Sequence, residues 1–234
     1  MKKICLFLLL FLIPFVVKGE ELNLAENAKS AILIEASTGE ILYQKNANER
    51  LAPASMTKIM SLILIMENIE NGNLKWNDIV VVSKNASSMG GSQIFLEANE
   101  MMTVEDLVKG ICIASGNDAT VALAEKIAGT EKAFVKLMND KAKSLGLKNT
   151  NFVNATGLDA EGHYSTANDM SVMARELVKH EKILEFSSIY EDYLRKNTAK
   201  SFWLVNTNKV VYKNYYSEYC YSNFSLYLYC FLNC

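Results

Sequence analysis

One predicted helix of this 234-residue chain has almost no polar face. Residues 55–69 have a helical pattern in which apolar side chains occupy most positions: Ile59, Met60, Leu62, Ile63, Leu64, Ile65 and Met66. A helix that is apolar all round must be enclosed, because water would otherwise contact apolar surface on some side of it. The rest of the chain therefore has to place other structure around this helix.

The other predicted elements put helices in the middle of the chain and strands toward both ends. Residues 31–34 and 41–43 flank a Ser-Thr-Gly turn and predict a β-hairpin. Further helices are predicted over residues 104–114, 118–128 and 131–145, and from a cap at Asn168 or Asp169 to about residue 180. Residues 202–211 predict a strand. This order favours an α+β, three-layer fold in which the early hairpin pairs with strands from much later in the chain.

Composition excludes several classes of protein. Hydrophobic residues make up 50% and charged residues 21% of the chain, which is typical of a globular domain and not of a disordered chain or a disulfide scaffold. The 24 basic and 26 acidic residues give a net charge of −2, and no basic run could follow a phosphate backbone. No nucleic acid is therefore expected as a partner.

Residues 1–19 have the pattern of a signal peptide. Lys2 and Lys3 precede an uncharged run over residues 4–17, and small residues flank a plausible cleavage point after Gly19. The run is shorter than the roughly 20 residues that a membrane-spanning helix needs, and it contains Pro14. Export is therefore expected, and a retained membrane anchor is the weaker alternative.

The cysteines do not form a recognisable framework, although export permits disulfide bonds. Four would remain after cleavage: Cys112, Cys220, Cys230 and Cys234. Cys112 lies in an apolar run and is interpreted as a small buried hydrophobic residue. Pairing among the other three stays open. No spacing of possible ligands resembles a metal site.

A serine and a lysine lie three residues apart at the start of the apolar helix. Helical spacing places Ser55 and Lys58 on one face, within about 5–6 Å at Cβ. A serine hydroxyl becomes a good nucleophile when a neighbouring base takes its proton, and burial lowers the pKa of a lysine toward the neutral amine that such a base requires. The two residues therefore form a candidate nucleophile and base, although alone they are explained as well by a helix start and a solvated lysine.

A second polar group, Ser115-Gly116-Asn117, lies between two predicted helices. Taken alone it is interpreted as a helix cap and turn. Its functional interpretation is a loop in which the Ser115 hydroxyl relays a proton between Lys58 and a leaving group, while the Asn117 amide orients Lys58 and a substrate carbonyl. Ser-x-x-Lys followed by Ser-x-Asn, each at a helix entrance, is far more specific than either half.

With these motifs the chain resembles the D-alanyl-D-alanine carboxypeptidases, the low-molecular-mass penicillin-binding proteins, over about residues 28–211. Further matching segments are residues 30–34, 52–60, 88–92, 113–119, 154–158 and 206–209. The resemblance implies the fold of the serine β-lactamases and DD-peptidases, a helical cluster on an antiparallel sheet. It also implies an acyl-enzyme on Ser55, with Lys58 as general base and with Ser115 and Asn117 as the second catalytic element.

The same resemblance implies a function in bacterial cell wall biogenesis, outside the cytoplasm. The expected substrate is a peptidoglycan stem peptide ending in D-Ala-D-Ala, from which the terminal D-alanine is removed with water as acceptor. β-Lactam antibiotics are expected to acylate the same serine as inhibitors. No metal or organic cofactor is implied, because hydroxyl, amine and amide groups suffice for this chemistry. Membrane contact is expected only through an uncleaved leader or a C-terminal anchor.

The third motif of the family, Lys-Thr-Gly on a sheet strand, is missing from this sequence. Lys209 and Lys213 are the nearest lysines, and neither is followed by Thr-Gly. In the family this strand supplies one oxyanion-hole N–H, whose loss costs about 10²–10³ in rate, so impaired activity is expected.

The last part of the chain differs in composition from the rest. We interpret residues 28–211 as an incomplete domain and residues 212–234, rich in Tyr and Cys, as an aberrant tail that follows a change of reading frame. The hairpin of residues 31–45 would then lack sheet partners and expose an edge.

Three other functions are alternatives. A Ser-His-Asp hydrolase is disfavoured because the only histidines, His163 and His180, are expected at the surface and no Gly-x-Ser-x-Gly elbow exists. A serine β-lactamase shares the fold and two motifs but needs a glutamate for deacylation, and Glu161 is interpreted as a solvated loop charge. The third alternative is a catalytically inert fragment that binds penicillin or peptidoglycan.

Overall fold

The apolar helix lies inside the fold. In a computed structural model, which describes residues 24–208 and the backbone of residues 227–232, this helix is α1 (Lys58–Glu70) and follows a 3₁₀ turn over Ala54–Thr57. Ile63 and Ile65 have no exposed surface, and even Lys58 is buried. The enclosure that the apolar pattern predicts is therefore confirmed, while residue 55 lies in the 3₁₀ turn and not in the helix proper.

Short helices and strands surround α1. The other helices among the described residues are α2 (Lys84–Ser87), α3 (Val104–Ala114), α4 (Asn117–Ala128), α5 (Glu131–Ser144), α6 (Ala167–Leu177) and α7 (Glu181–Ser187). The strands described are β1 (Ser30–Glu35), β2 (Ile41–Lys45), β3 (Ile79–Val81), β4 (Met101–Thr103), β5 (Glu191–Leu194), β6 (Phe202–Val205) and β7 (Tyr227–Leu232). Within the described ranges no helix combines the length and apolar character needed to cross a bilayer.

The elements form layers. β1 is the middle strand of a three-stranded antiparallel sheet in the order β2-β1-β7, and β3–β4 and β5–β6 form two smaller antiparallel pairs. Helix α6 contacts β1 and β7 on one side and α1 on the other, while α1 also contacts α4 and α5. The sheet, α6 and α1 with its neighbouring helices are thus successive layers, as the predicted α+β, three-layer fold requires.

Strand β7 corrects the expectation that the early hairpin lacks a further partner. Its residues pair with β1 from Ser30 opposite Leu232 to Glu35 opposite Tyr227. The physical reason is composition: the sequence YLYCFL of β7 is aromatic and apolar, a type of sequence that favours strands. The predicted signal peptide, residues 209–226 and the cysteines at positions 220 and 234 lie outside the described residues. The interpretation of the leader and of the tail therefore stays a prediction.

Capping explains where the helices begin. Thr103 accepts a hydrogen bond from the Asp106 N–H at 3.1 Å, and α3 covers residues 104–114 as predicted. Helix α6 begins earlier than expected because Thr166 is its cap and accepts from the Asp169 N–H at 3.0 Å. The predicted caps Asn168 and Asp169 are therefore wrong, and the Asp169 carboxylate instead accepts a hydrogen bond from the Thr150 hydroxyl at 2.8 Å.

We expect Ile63→Ala to lower the free energy of unfolding by about 2–5 kcal/mol, because it leaves a cavity beside a helix that is enclosed on all sides. Urea unfolding followed by circular dichroism measures this change. Leu137→Ala on α5 is the control, because Leu137 is 40% exposed. An equal loss in both variants would contradict the central position of α1.

Candidate active site

The turn that carries Ser55 is shaped by an unusually close backbone approach. Ala54 has a φ of +46°, in the left-handed region that residues other than glycine rarely adopt. Gly157, with a φ of +88°, lies so near that a Cβ on it would be 1.7 Å from the Ala54 carbonyl oxygen. Residues 154–158, which we call the 154–158 loop, therefore rest directly on the Ser55 turn, and only glycine permits this contact.

Lys58 lies between Ser55 and the 154–158 loop. Its Nζ is 3.3 Å from the Ser55 Oγ and donates to the Thr156 carbonyl oxygen at 2.8 Å. The side chain is only 4% exposed, and this burial lowers its pKa to about 8. Within the part of the chain that the structure describes, no carboxylate forms an ion pair with it. The amine therefore becomes neutral at a pH far below that of an ordinary lysine.

Three side chains fix the 154–158 loop. Ser61 on α1 donates to the Ala155 carbonyl oxygen at 2.7 Å, and Glu131 on α5 accepts from the Ala155 N–H at 3.0 Å. Asn154 accepts from the Gly157 N–H at 2.7 Å. The Thr156 carbonyl, which accepts from Lys58, is thus held by hydrogen bonds to the residues before and after it. The fold therefore fixes the position of the amine.

Ser115 meets Ser55 and Lys58 at a shared cavity. It follows the last residue of α3 with a φ of +56°, and its N–H donates to the Ile111 carbonyl oxygen at 3.0 Å. The cavity, of about 280 Å³, is otherwise lined mainly by apolar side chains of α1, α3, α6 and α7. The left-handed conformation of Ser115 ends the helix at the wall of this cavity.

Cys112 lies in the wall of the same cavity. Burial raises the pKa of its thiol to about 12, so the reactive thiolate is scarce at neutral pH. This agrees with the interpretation of Cys112 as a small hydrophobic residue.

Asn117 is buried at the start of α4 and holds a neighbouring loop. Its Nδ2 donates to the Gly90 carbonyl oxygen at 2.7 Å, and a Cβ on Gly91 would lie 2.8 Å from the same nitrogen. The hydrogen bonds of Lys58 go to Ser55 and Thr156, so in this structure the expected orientation of Lys58 by Asn117 is replaced by a bond to Gly90. The Asn117 Oδ1 is buried and has no partner among the described residues. It is therefore a buried acceptor whose hydrogen-bonding capacity these residues leave unused.

Asp118 supports this arrangement and was not singled out from the sequence. Its carboxylate is 1% exposed and accepts from the Ile94 N–H at 3.1 Å and the Leu96 N–H at 3.0 Å. These bonds fix the segment that follows the loop carrying Gly90. The sequence signal, an acidic residue in the first turn of a helix, is equally typical of an ordinary cap.

The two histidines correct the expectation of surface positions. His163 is 7% and His180 8% exposed, because the turn that ends at His163 folds inward and brings its Nε2 to 2.8 Å from the Thr57 Oγ1. His180 lies 2.6 Å from Glu70 at the opposite end of α1. Neither is hydrogen-bonded to Ser55, so the described residues contain no Ser-His-Asp arrangement at this serine.

Over residues 24–208 no cluster of three or more His, Cys, Asp or Glu side chains could hold a metal ion.

Comparison with known sequences identifies relatives of the chain. The sequence model of the D-alanyl-D-alanine carboxypeptidase family matches residues 18–219. D-alanyl-D-alanine carboxypeptidase DacF of Bacillus subtilis is 64% identical over 189 residues, which are 81% of this chain and 49% of that protein. DacC of Escherichia coli is 41% identical over 65% of this chain and 40% of that protein. The chain thus spans about half the length of these relatives.

Solved structures give the same result for the fold. The D-alanyl-D-alanine carboxypeptidase DacD of Francisella tularensis superposes with a TM-score of 0.74 at 36% identity, over 82% of this chain and 46% of that one. Penicillin binding protein 6B of Escherichia coli has a TM-score of 0.76 at 32% identity, over 87% of this chain and 63% of that one.

We expect Gly157→Ala to destabilise the protein more than Gly72→Ala. Both glycines have a positive φ, +88° and +75°, so both substitutions carry the same conformational strain. Nothing lies within 4 Å of a Cβ on Gly72, whereas a Cβ on Gly157 would meet the Ala54 carbonyl. Denaturant unfolding of the two variants separates the steric effect from the strain. Equal losses would show that the Ser55 turn and the 154–158 loop are not in close contact.

Proposed function

The chain belongs to the D-alanyl-D-alanine carboxypeptidase family, and we propose that it removes the terminal D-alanine from peptidoglycan stem peptides. The observation that carries this proposal is the buried Lys58 amine, 3.3 Å from the Ser55 Oγ and hydrogen-bonded to a neutral carbonyl. Such an amine can take a proton from a serine at a pH where an ordinary lysine is fully charged.

Acylation would begin with attack of the Ser55 Oγ on the carbonyl carbon of the penultimate D-alanine. Lys58 takes the hydroxyl proton as the new C–O bond forms. The C–N bond to the terminal D-alanine then breaks, and its nitrogen leaves with a proton passed from Lys58 through Ser115. The peptide remains as an ester on Ser55, and free D-alanine is released.

Deacylation would use the same groups in reverse. Lys58 takes a proton from water, the hydroxide attacks the ester carbonyl, and the proton returns to the Ser55 Oγ as the shortened peptide leaves. Asn117 would orient the bound peptide through its side-chain amide. Ser55, Lys58, Ser115 and Asn117 thus have distinct roles in both halves of the reaction.

The proposed partners and location follow from the family. A β-lactam carries an amide that Ser55 can open without losing the leaving group, so β-lactam antibiotics are proposed as acylating inhibitors; one relative in the comparison is named penicillin binding protein 6B. Because the substrate lies in the cell wall, we propose that the protein acts outside the cytoplasm. The leader at residues 1–19 would direct its export.

A second candidate function has one observation in its favour. Neither Lys209 nor Lys213 is followed by Thr-Gly, and an acyl-enzyme that lacks an oxyanion donor forms and hydrolyses more slowly. The chain would then bind penicillin or peptidoglycan with little turnover.

We expect penicillin to form a covalent adduct on Ser55. Intact-mass spectrometry of the full chain after incubation with penicillin should show the added mass, and peptide mapping should place it on Ser55. Ser55→Ala should abolish the adduct. Ser144→Ala is the matched control, because this exposed serine at the end of α5 hydrogen-bonds only to its own helix.

The outcomes separate the candidate functions. An adduct together with release of D-alanine from a D-Ala-D-Ala peptide supports the carboxypeptidase, and a stable adduct without release supports the inert binder. Rapid loss of the adduct with hydrolysed penicillin supports a β-lactamase. Absence of any adduct contradicts acyl-enzyme chemistry at Ser55.

The acylation rate should rise with pH and level off above about 8. Lys58 must be neutral to act as a base, and its pKa of about 8 means that the neutral fraction grows about tenfold per pH unit below that value. Stopped-flow measurement with a fluorescent penicillin between pH 6 and 9 checks the profile. Lys58→Arg should abolish acylation at every pH because a guanidinium stays charged. A flat profile in the unsubstituted protein would exclude Lys58 as the base.

A further inference from the structure

We propose that His163 is a positioning residue that holds the Ser55 turn in place through Thr57, and that it does so in one protonation and tautomeric state. This inference rests on the proposed function, since the geometry it maintains is that of Ser55 and Lys58. His163 does not touch the reacting atoms: it is hydrogen-bonded to the side chain of Thr57, which lies between Ser55 and Lys58 in the sequence.

The hydrogen bonds of the ring identify its tautomer. The Val153 backbone nitrogen lies 3.1 Å from the His163 Nδ1, and a backbone N–H can only donate. The Nδ1 must therefore be the acceptor and carry no proton. In the neutral ring the proton is then on Nε2, which donates to the Thr57 Oγ1 at 2.8 Å.

Thr57 transmits this bond to the nucleophile. It has no exposed surface and is the last residue of the 3₁₀ turn that contains Ser55, a turn without a side-chain cap. Its Oγ1 would lie 2.9 Å from a Cβ on Gly157, so the hydroxyl is packed between the His163 ring and the 154–158 loop. The ring itself is packed edge-on against Phe152, with 5.8 Å between the ring centroids. His163 thus fixes the turn through Thr57, the residue next to Lys58.

Protonation of His163 would break the arrangement. A second proton on Nδ1 would face the Val153 N–H, so two donors would meet where one hydrogen bond had been. Burial lowers the pKa of His163, while the Asp159 carboxylate acts in the opposite direction. The other charged groups on the elements packed around the ring are Glu161, on the same loop, and Lys58, next to Thr57. Acid should therefore release the turn at a pH below the ordinary value for histidine.

Two substitutions at this position separate the roles of the ring nitrogens. The amide nitrogen of a glutamine can replace Nε2 as the donor to Thr57 and does not titrate. The amide oxygen of an asparagine can replace Nδ1 as the acceptor from Val153, but asparagine is too short to reach Thr57. The experiment measures the maximal rate of acylation by a fluorescent penicillin, separately from its apparent affinity, between pH 4.5 and 8.

The unsubstituted protein should lose acylation rate with one proton near pH 8, where Lys58 titrates, and with a second proton at lower pH. His163→Gln should keep the rate at pH 8 within about threefold and lose the second, acid step. His163→Asn should lower the maximal rate by about 10- to 100-fold, the order expected for a misplaced nucleophile. Thr57→Val should have the same effect as His163→Asn, and the double variant should lose no more than either single one.

His180→Gln is the matched control, because His180 is an equally buried, hydrogen-bonded histidine at the far end of α1. It should retain both steps of the pH profile. Long-range ¹H–¹⁵N spectra of the imidazoles provide a readout that does not depend on activity or on any variant: His163 should be the Nε2–H tautomer at pH 7.

An Nδ1–H tautomer or an imidazolium at pH 7 would overturn the inference. So would an acid step that persists in His163→Gln, or a larger loss in the double variant than in the singles. Failure of the acyl-enzyme chemistry at Ser55, on which the inference rests, has a different signature, because the unsubstituted protein would then take up no penicillin at any pH.

Discussion

Burial of the Lys58 amine is the interaction on which the candidate site depends. Two requirements that would conflict at the surface meet here: the nitrogen must lie close to the Ser55 hydroxyl, and it must be kept from water so that it loses its proton readily. The apolar surroundings of α1 satisfy the second requirement, because a helix enclosed on every side carries its first residue inward with the rest. One helix, α1, therefore supplies both the centre of the hydrophobic core and the buried lysine of the proposed chemistry.

A hydrogen-bond partner without charge completes this environment. If the partner of Lys58 were a carboxylate, the ion pair would stabilise the ammonium and raise its pKa. The Thr156 carbonyl satisfies one N–H at 2.8 Å without adding a charge. Glu131 is close enough to hold the same loop, but its bond is to the Ala155 N–H. The acidic group thus stabilises the loop, while the amine is left with neutral partners.

Sequence patterns predicted the helices and motifs, which depend on neighbouring residues. They missed the contacts between segments that are far apart in the sequence. A capping residue placed α3 to the residue, and periodicity placed the end of α1 within one residue but its start three residues too early. The motifs of Ser55, Lys58 and Ser115 led to the family that the comparisons confirm. The Thr156 carbonyl could not be predicted, because every residue has a carbonyl and only the fold decides which one reaches the lysine. His163 was misjudged because a Gly-His turn is typical of a surface loop, and the direction of its fold inward is set by residues 151–153 packed beside it. Strand β7 pairs with β1 although the two strands lie near opposite ends of the sequence. At that separation, local patterns do not predict whether two strands pair or which of their residues lie opposite each other.

The contact of the 154–158 loop with the Ser55 turn also has a consequence for the order in which the protein forms. Lys58 and Thr156 are 98 positions apart, so their meeting must wait for closure of a long stretch of chain, which is slow compared with formation of local helices. A chain in which α1 has formed without this contact would have a hydrated lysine beside an unreactive alcohol. The serine is therefore activated only after this long-range contact has formed, and a molecule that lacks the contact carries no activated serine.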